Sequence, residues 1–311
     1  MGERKSAFLK QVRITRATLG VTKMLNYLWI TLAALLIAVN SASAKRYSAV
    51  VGSSLVSGLT FNVLIGAVSS LFFWGLCGFR LSFSWFSFVF AMATALFAGL
   101  YLVLGFRVME AGGITIYSLF LMSGGMVLPY LFGLLFLDEP LTLPRVFGIL
   151  LILVALWIAN RSKVKLKPSF YALCIVIFLL NGCVSILSKC HQINTVYPMV
   201  SSAEFSVYQN IGRVVISLVL LAFVRKPNER LSLPPLKHGW TVVLSGLASG
   251  TSFLLQLNAA VHLPASVLFP FITGGSVIFA SLIGAVFFKE KLTAPRLAAI
   301  GLCFAGTLFF L

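Results

Sequence analysis

From residue 25 onward the chain is a succession of long apolar runs, broken by short clusters of charged and turn-forming residues. Ten runs separate: 25–44, 54–79, 83–106, 112–137 and 144–160, then 169–189, 200–224, 239–259, 264–288 and 294–311. A helix needs roughly 20 apolar residues to cross the ~30 Å hydrocarbon core of a bilayer, and most of these runs supply them. Within each run the apolar residues are continuous rather than alternating. That excludes a transmembrane barrel, whose strands turn only every second residue to lipid. The pattern predicts an all-α polytopic membrane protein of ten transmembrane helices. The connections hold the charges and turn-formers, among them Lys45-Arg46, Asp138-Glu139-Pro140, Arg225 to Lys237 and Lys289-Glu290-Lys291. None is long enough for a separate domain.

Composition removes the alternatives. The 311 residues are 59% hydrophobic and only 10% charged, where a soluble domain carries roughly 25% charged residues. The net charge of +17 is not the footprint of a nucleic-acid binder, because its Lys and Arg sit between apolar runs rather than over a polar surface. Cys77, Cys174, Cys183, Cys190 and Cys303 fall in or at the ends of apolar runs without metal-ligand spacing, and read as small packing residues. No metal and no cofactor is expected. Residues 1–23 are polar and basic, and two readings of them stand. They form an interfacial helix on anionic lipid, or they precede a true start at Met24, which opens directly onto the first run.

Two stretches about 150 residues apart read alike. Ser123-Gly124-Gly125 is followed by Gly133 and then by Glu139-Pro140-Leu141-Thr142-Leu143-Pro144-Arg145. Thr273-Gly274-Gly275 is followed by Gly284 and then by Glu290-Lys291-Leu292-Thr293-Ala294-Pro295-Arg296. Weaker echoes pair Ser53-Ser54 and Asn62 with Ser201-Ser202 and Asn210, and Lys45 with Lys189. The chain thus divides into the tail 1–23, a first five-helix repeat over 24–160, a basic linker over 161–168 and a second repeat over 169–311. With an odd number of spans per copy, the second enters the bilayer from the opposite face. Inverted repeats of this kind are the architecture of secondary transporters, with the substrate site near the midplane between the copies.

Two halves of five helices, each with an apolar helix running into Glu-x-Leu-Thr and the next helix, resemble the drug/metabolite transporter superfamily, specifically its EamA-type members. The resemblance covers residues 25–311 and is most specific in Phe136-Leu137-Asp138-Glu139-Pro140-Leu141-Thr142 and Phe287-Phe288-Lys289-Glu290-Lys291-Leu292-Thr293. It implies a ten-helix basket whose central cavity is lined mainly by the first, third, fourth, sixth, eighth and ninth helices. It also implies small-metabolite transport, often the efflux of amino acids or related solutes. The family commonly carries a proline in the middle of its fourth and ninth helices. Pro129 fits that pattern, whereas the second half has Phe279-Ala280 there and places Pro270 earlier.

Charge sets the orientation. Loops after odd-numbered helices hold fourteen Lys and Arg, and loops after even-numbered helices only Arg80, Arg145 and Lys189. By the positive-inside rule the odd loops are cytoplasmic and both termini lie outside. The six positive charges of the tail pull against this, and a start at Met24 would remove the conflict.

Polar residues inside the spans are the candidates for function, because burying them without partners costs free energy. Glu204 and Arg213 are the ionisable ones, nine residues apart on the seventh helix and so about 13 Å apart along it. Arg213 is read as an anchor for a substrate carboxylate or phosphate, or as a charge satisfied by backbone carbonyls. Glu204 is read as a proton-coupling carboxylate or as an acid at the interface. Arg213 shares a face with Gln209 and Asn210, and Glu204 with Tyr208. Asn40, Tyr101, Tyr117, Asn181, Ser185, Gln256 and Asn258 are polar candidates on the helices the resemblance assigns to the cavity, with Phe269 as an aromatic wall. Each also has the reading of an interhelical hydrogen bond. Lys45 and Lys189 end equivalent helices and stand as gates, or as cations complementing helix dipoles. Thr142 and Thr293 are expected to cap the short helices opened by Pro144 and Pro295. Gly124-Gly125, Gly274-Gly275 and the pair Gly301 and Ala305 are expected at close helix crossings.

No catalytic residue is expected. His191, His238 and His262 fall at span ends or loops, and neither a Ser-His-acid set nor His-Glu-x-x-His occurs. A primary pump is excluded by the lack of a phosphate-binding Gly-x-x-x-x-Gly-Lys-Ser/Thr loop. The reading is a bacterial inner-membrane carrier, monomeric or weakly dimeric, whose partners are a small-molecule substrate and membrane lipid. It exports or exchanges a small polar metabolite by alternating access. The alternative is a flippase for lipid or lipid-linked sugar of the same superfamily.

Overall fold

The computed structural model describes residues 2–110, 114–159, 167–225, 231–289 and 293–311, with the backbone alone for 2–23, 110 and 114–115. The helices are α1 (Gly2–Val51), α2 (Leu55–Leu76), α3 (Trp85–Glu110), α4 (Ile114–Phe136), α5 (Leu143–Ala159), α6 (Pro168–Ile193), α7 (Ser202–Val224), α8 (Gly239–His262), α9 (Ala265–Phe288) and α10 (Ala294–Leu308). A single 3₁₀ turn at Leu236–His238 leads into α8. No strand occurs among the described residues. All ten apolar runs are therefore helices, and eight of them are long and apolar enough to cross a membrane. The other two, α5 and α10, have 17 and 15 residues, about 25 and 23 Å of helix. They pack on each other.

The ends depart from the expected ones for local reasons. The backbone of the tail is helical and continuous with α1, rather than a separate element. α2 stops at Leu76, short of 79, because Gly78 and Phe79 both turn to positive φ. α6 runs past 189 through Lys189, His191 and Gln192, all of which are buried with hydrogen-bond partners. Ser54 and Ser201 begin α2 and α7 as N-caps. Ser54 accepts from the Ser57 amide, and Ser201 forms a reciprocal capping box with Glu204. Thr293 is the N-cap residue of α10 but makes no side-chain cap bond, so the capping expected of it fails. The Pro at the first turn already removes one of the donors a cap would satisfy.

The helix neighbours show how the halves relate. α1 packs on α8 and α9 as α6 packs on α3 and α4; α2 packs on α7 and α8 as α7 packs on α2 and α3; α4 meets α9 and α5 meets α10. Exchanging the first five helices with the last five maps this set onto itself, which is consistent with an inverted repeat. Backbone conformation agrees. Asp138 after α4 (φ 51°) and Lys289 after α9 (φ 53°) are both left-handed, at equivalent positions in the two Glu-x-Leu-Thr segments. Three pairings have no comparable counterpart among the described residues: α6 with α8, against α1 with α3; α5 with α9, against α10 with α4; and α1 with α2, against α6 with α7. The first is the most extensive.

The glycine pairs mark crossings, though not all as expected. A Cβ on Gly124 would lie 2.2 Å from the Phe178 carbonyl oxygen, so α4 and α6 approach backbone to backbone there. Gly301 faces open space, and the close contact of α5 with α10 lies instead at Gly148, where a Cβ would come within 2.9 Å of the Gly306 carbonyl oxygen. Overpacking a tight contact costs about 1–3 kcal/mol. Gly124→Ala should lower stability by that amount, while Gly301→Ala should stay within about 0.5 kcal/mol of the parent. Thermal unfolding of the two variants in detergent measures the difference.

Candidate functional site

Where the halves meet, α1, α3, α4, α6, α7, α8 and α9 enclose a cavity of about 350 Å³. Its polar lining is built helix by helix. α8 presents Ser249, Ser252 and Gln256 at helical spacing, with Ser245 one turn earlier. Ser252 Oγ donates to the Ala33 carbonyl of α1 (2.9 Å), Gln256 Nε2 donates to Ser252 Oγ (3.1 Å), and Ser245 Oγ donates to Asn40 Oδ1. On the facing side Asn181 Nδ2 donates to the Leu121 carbonyl of α4 (2.7 Å), and Ser185 Oγ reaches the Gly125 carbonyl at 3.4 Å. That carbonyl would be bonded to the amide four residues ahead, but residue 129 is proline and has no N–H. Pro129 thus releases a backbone acceptor into the lining. Phe269 adds an apolar wall from α9.

α7 contributes Arg213. Its stem passes Gly66 of α2, where a Cβ would lie 3.5 Å from Arg213 Cδ, and it shares the cavity with Tyr101 of α3. The side chain is half-buried. Among the described residues it has neither a hydrogen-bond acceptor nor a carboxylate partner, and its electrostatic neighbour is the Tyr101 hydroxyl.

One end of the cavity is sealed at the corner between α8 and α9. The C-cap of α8 is Leu263, followed at once by Pro264, the N-cap of α9. Helix ends leave carbonyls on one side and amides on the other without partners, and Pro264 removes the N–H that the Ala260 carbonyl would otherwise receive. Lys189 of α6, 5% exposed, supplies the missing donors: its Nζ bonds the Ala260 carbonyl (2.5 Å) and the Leu263 carbonyl (2.7 Å). Glu139 of the α4–α5 connection supplies the missing acceptors, taking the amides of Ala265 (2.5 Å) and Ser266 (2.8 Å). A cation thus meets the negative end of one helix dipole and an anion the positive end of the next. Lys189, Ala260, Leu268 and Phe269 all line the cavity, so this corner forms its floor.

Of the other expected site residues, several lie elsewhere. Tyr117 is buried against Val108, Cys174 and Ile177 beneath α3. Tyr208 turns away and donates to the Ser82 carbonyl (2.6 Å). Asn210 is buried and bonds back to the Ser206 carbonyl of its own helix (2.8 Å). Asn258 is half-buried and outside the lining. Glu204 closes the capping box of α7 and accepts from the Ser82 amide (2.7 Å), so three donors hold its carboxylate at the helix end, away from the cavity. Lys45 sits 4.5 Å over the Phe288 ring, a cation–π contact outside the cavity. The structure therefore brings together Asn40, Tyr101, Asn181, Ser185, Lys189, Arg213, Gln256 and Phe269.

His191, expected near a loop, is fully buried. Its ring stacks on Phe205 at 3.9 Å, its Nε2 meets Ser87 Oγ (2.9 Å), and its Nδ1 meets Gln192 Nε2 (2.9 Å). Ser87 Oγ also accepts the Val200 amide (3.0 Å) and Ser202 donates to Gln192 Oε1 (2.9 Å), which ties α3, α6 and α7 together at the sealed end.

Breaking one side of the corner leaves buried carbonyls or amides unpaired, at about 1–3 kcal/mol. Lys189→Met and Glu139→Gln should each destabilise by that order. Because both hold one corner, the double variant should lose less than the sum, as a double-mutant cycle by thermal unfolding in detergent will read.

Residues 171–311 match the family model described as the EamA-like transporter family. No curated protein matches the chain. Among solved structures 28 chains match; one of them, described only as the crystal structure of a protein, superposes with a TM-score of 0.71 at 17% identity, over 91% of this chain and 97% of its own. At that identity the likeness speaks to the fold, and the fold extends well beyond the family match. The chain is an integral multi-pass membrane protein, and its second half, residues 171–311, is similar to the EamA-like transporter family.

Proposed function

We propose that the protein is a secondary transporter that exports or exchanges a small polar metabolite by alternating access. The observation that carries this reading is the cavity between the two halves, whose largely apolar wall carries a set of polar side chains, floored by the Lys189–Glu139 corner. A volume of about 350 Å³ falls at the lower end of the ~300–1,000 Å³ range of small-molecule sites. That favours a metabolite over a lipid-linked sugar, whose headgroup and chain need far more room. Opening the floor requires the α8–α9 corner to leave Lys189, Glu139 or both. The fourteen positive charges on the opposite set of loops support a sealed end that faces away from the cytoplasm, in a bacterial inner membrane.

Counterflow in proteoliposomes tests the proposal. The purified chain should exchange at least one radiolabelled solute from a panel of amino acids, organic acids, sugars and polyols. Ser249→Trp, which fills the cavity from α8, should abolish exchange in protein that stays monodisperse. The absence of exchange for every solute tried overturns the reading.

A further inference from the structure

The cavity has an unbalanced charge. Arg213 occupies the middle of α7, the twelfth of its 23 residues, and has no carboxylate within reach among the described residues. The sequence explains why. The acidic residues are Glu3, Glu110, Asp138, Glu139, Glu204, Glu229 and Glu290, and every one lies in the tail, at a helix end or in a connection. The acid on Arg213's own helix, Glu204, is nine residues and so about 13 Å away along the axis, and its oxygens are taken by Ser82 and Ser201. Glu139 is taken by the amides of α9. The second cation of the lining, Lys189, is bonded to backbone carbonyls and has Glu139 as its electrostatic neighbour at the same corner, so Arg213 is the cation of the lining without an acid beside it among the described residues. The described lining contains two cations and no acid.

A cation without a counter-ion is costly within a bilayer even when half-buried, and Arg213 is not one of the residues that hold the corner or a helix cap. It lines a space shared with neutral Ser, Asn, Gln and Tyr side chains. An amino acid would bring its own ammonium into this space, where no carboxylate could receive it. An organic anion brings only the charge that is missing.

We propose that the cavity takes a small organic anion, bound through its carboxylate or phosphate group to Arg213, in preference to a zwitterionic amino acid. The proposal rests on the transporter reading and names its substrate class. A planar guanidinium matches either group with two parallel hydrogen bonds, a geometry that Lys cannot reproduce. The hydroxyls and amides of α8 and α6 are left to read the uncharged part of the molecule.

Thermal-shift titration of the full chain in detergent tests this, because a ligand of the folded state raises the melting temperature with its concentration. The panel is succinate and lactate, glycerol 3-phosphate, the zwitterions alanine and serine, the cation putrescine, neutral glycerol, and chloride. At least one of the first three should raise the melting temperature, and the zwitterions, the cation and glycerol should not. Carboxylates and the phosphate ester, run separately, tell the two anion types apart. Arg213→Gln should weaken binding about tenfold to a hundredfold, the loss expected for a charge-assisted pair, and Arg213→Lys should fall between. Counterflow of the bound anion should disappear in Arg213→Gln while its unliganded melting temperature stays at or above that of the parent, a response a merely structural arginine would not give. Binding of alanine or serine that survives Arg213→Gln overturns the anion proposal and leaves the transporter reading standing. A chloride response equal to that of the organic anions also overturns it, since Arg213 would then be a halide site. Neither binding nor exchange of any solute overturns both.

Discussion

The structure turns on one backbone corner. Where α8 gives way to α9 within two residues, the carbonyls of one helix end and the amides of the next are buried side by side. In a soluble protein such a corner would lie at the surface and water would satisfy it. Here Leu263, Ala265 and Ser266 are buried, and within a membrane each unsatisfied backbone group costs several kcal/mol. Lys189 and Glu139 meet that demand from two different elements, one for each sign of dipole. A long flexible amine suits carbonyls that point in slightly different directions, and a carboxylate with two oxygens suits adjacent amides.

That arrangement links architecture to the cavity. Most helix neighbours are reproduced by their counterparts in the other half, so the two halves are built from the same kinds of contact. The contact of α6 with α8 has no equal between α1 and α3, and Lys189 is the side chain that bridges it. The exchange symmetry is thus broken at the corner that Lys189 holds, as it also is where α5 meets α9 and α1 meets α2. The network of Ser87, His191, Gln192 and Ser202 reinforces the same end, tying α3 and α7 to α6. That end carries several side-chain hydrogen bonds that cross between helices, each modest in strength.

Much of this was legible in the sequence, for reasons that can be located. Ten helices follow from apolar run length alone, because lipid leaves the backbone no other option. The repeat was visible in Glu139-x-Leu141-Thr142 and Glu290-x-Leu292-Thr293, and Asp138 and Lys289 share a left-handed turn that no sequence comparison displays. Asn40, Asn181, Ser185, Arg213 and Gln256 were found because a polar residue inside a span is conspicuous. Glu204, Tyr208 and Asn210 were conspicuous for the same reason and lie elsewhere, since a polar side chain also satisfies caps and neighbouring carbonyls. Serine hid in the opposite direction. Ser249 and Ser252 form one stripe with Gln256, a signal present in the spacing but muted because serine is common at helix contacts. Glu139 stands out in the sequence only as part of the repeated Glu-x-Leu-Thr motif, and its partners are the amides of α9, 126 and 127 residues away. Sequence periodicity carries no information about a contact at that separation.

The charge distribution closes the physical picture. The chain has few acidic residues, and in the described structure Glu139 and Glu204 hold helix ends rather than entering the cavity. A cavity cation balanced by a fixed acid would be satisfied in the empty state and would gain little on meeting an anion. Left without a fixed acid, Arg213 keeps its unmet electrostatic demand for whatever enters from water. The cost of holding that charge in the empty protein falls when a complementary anion arrives, so the empty cavity is the strained state and the loaded one is relieved. The same economy of acids leaves nothing in the lining to hold an ammonium. Selectivity by charge then follows from what the bundle omits as much as from the arginine it presents.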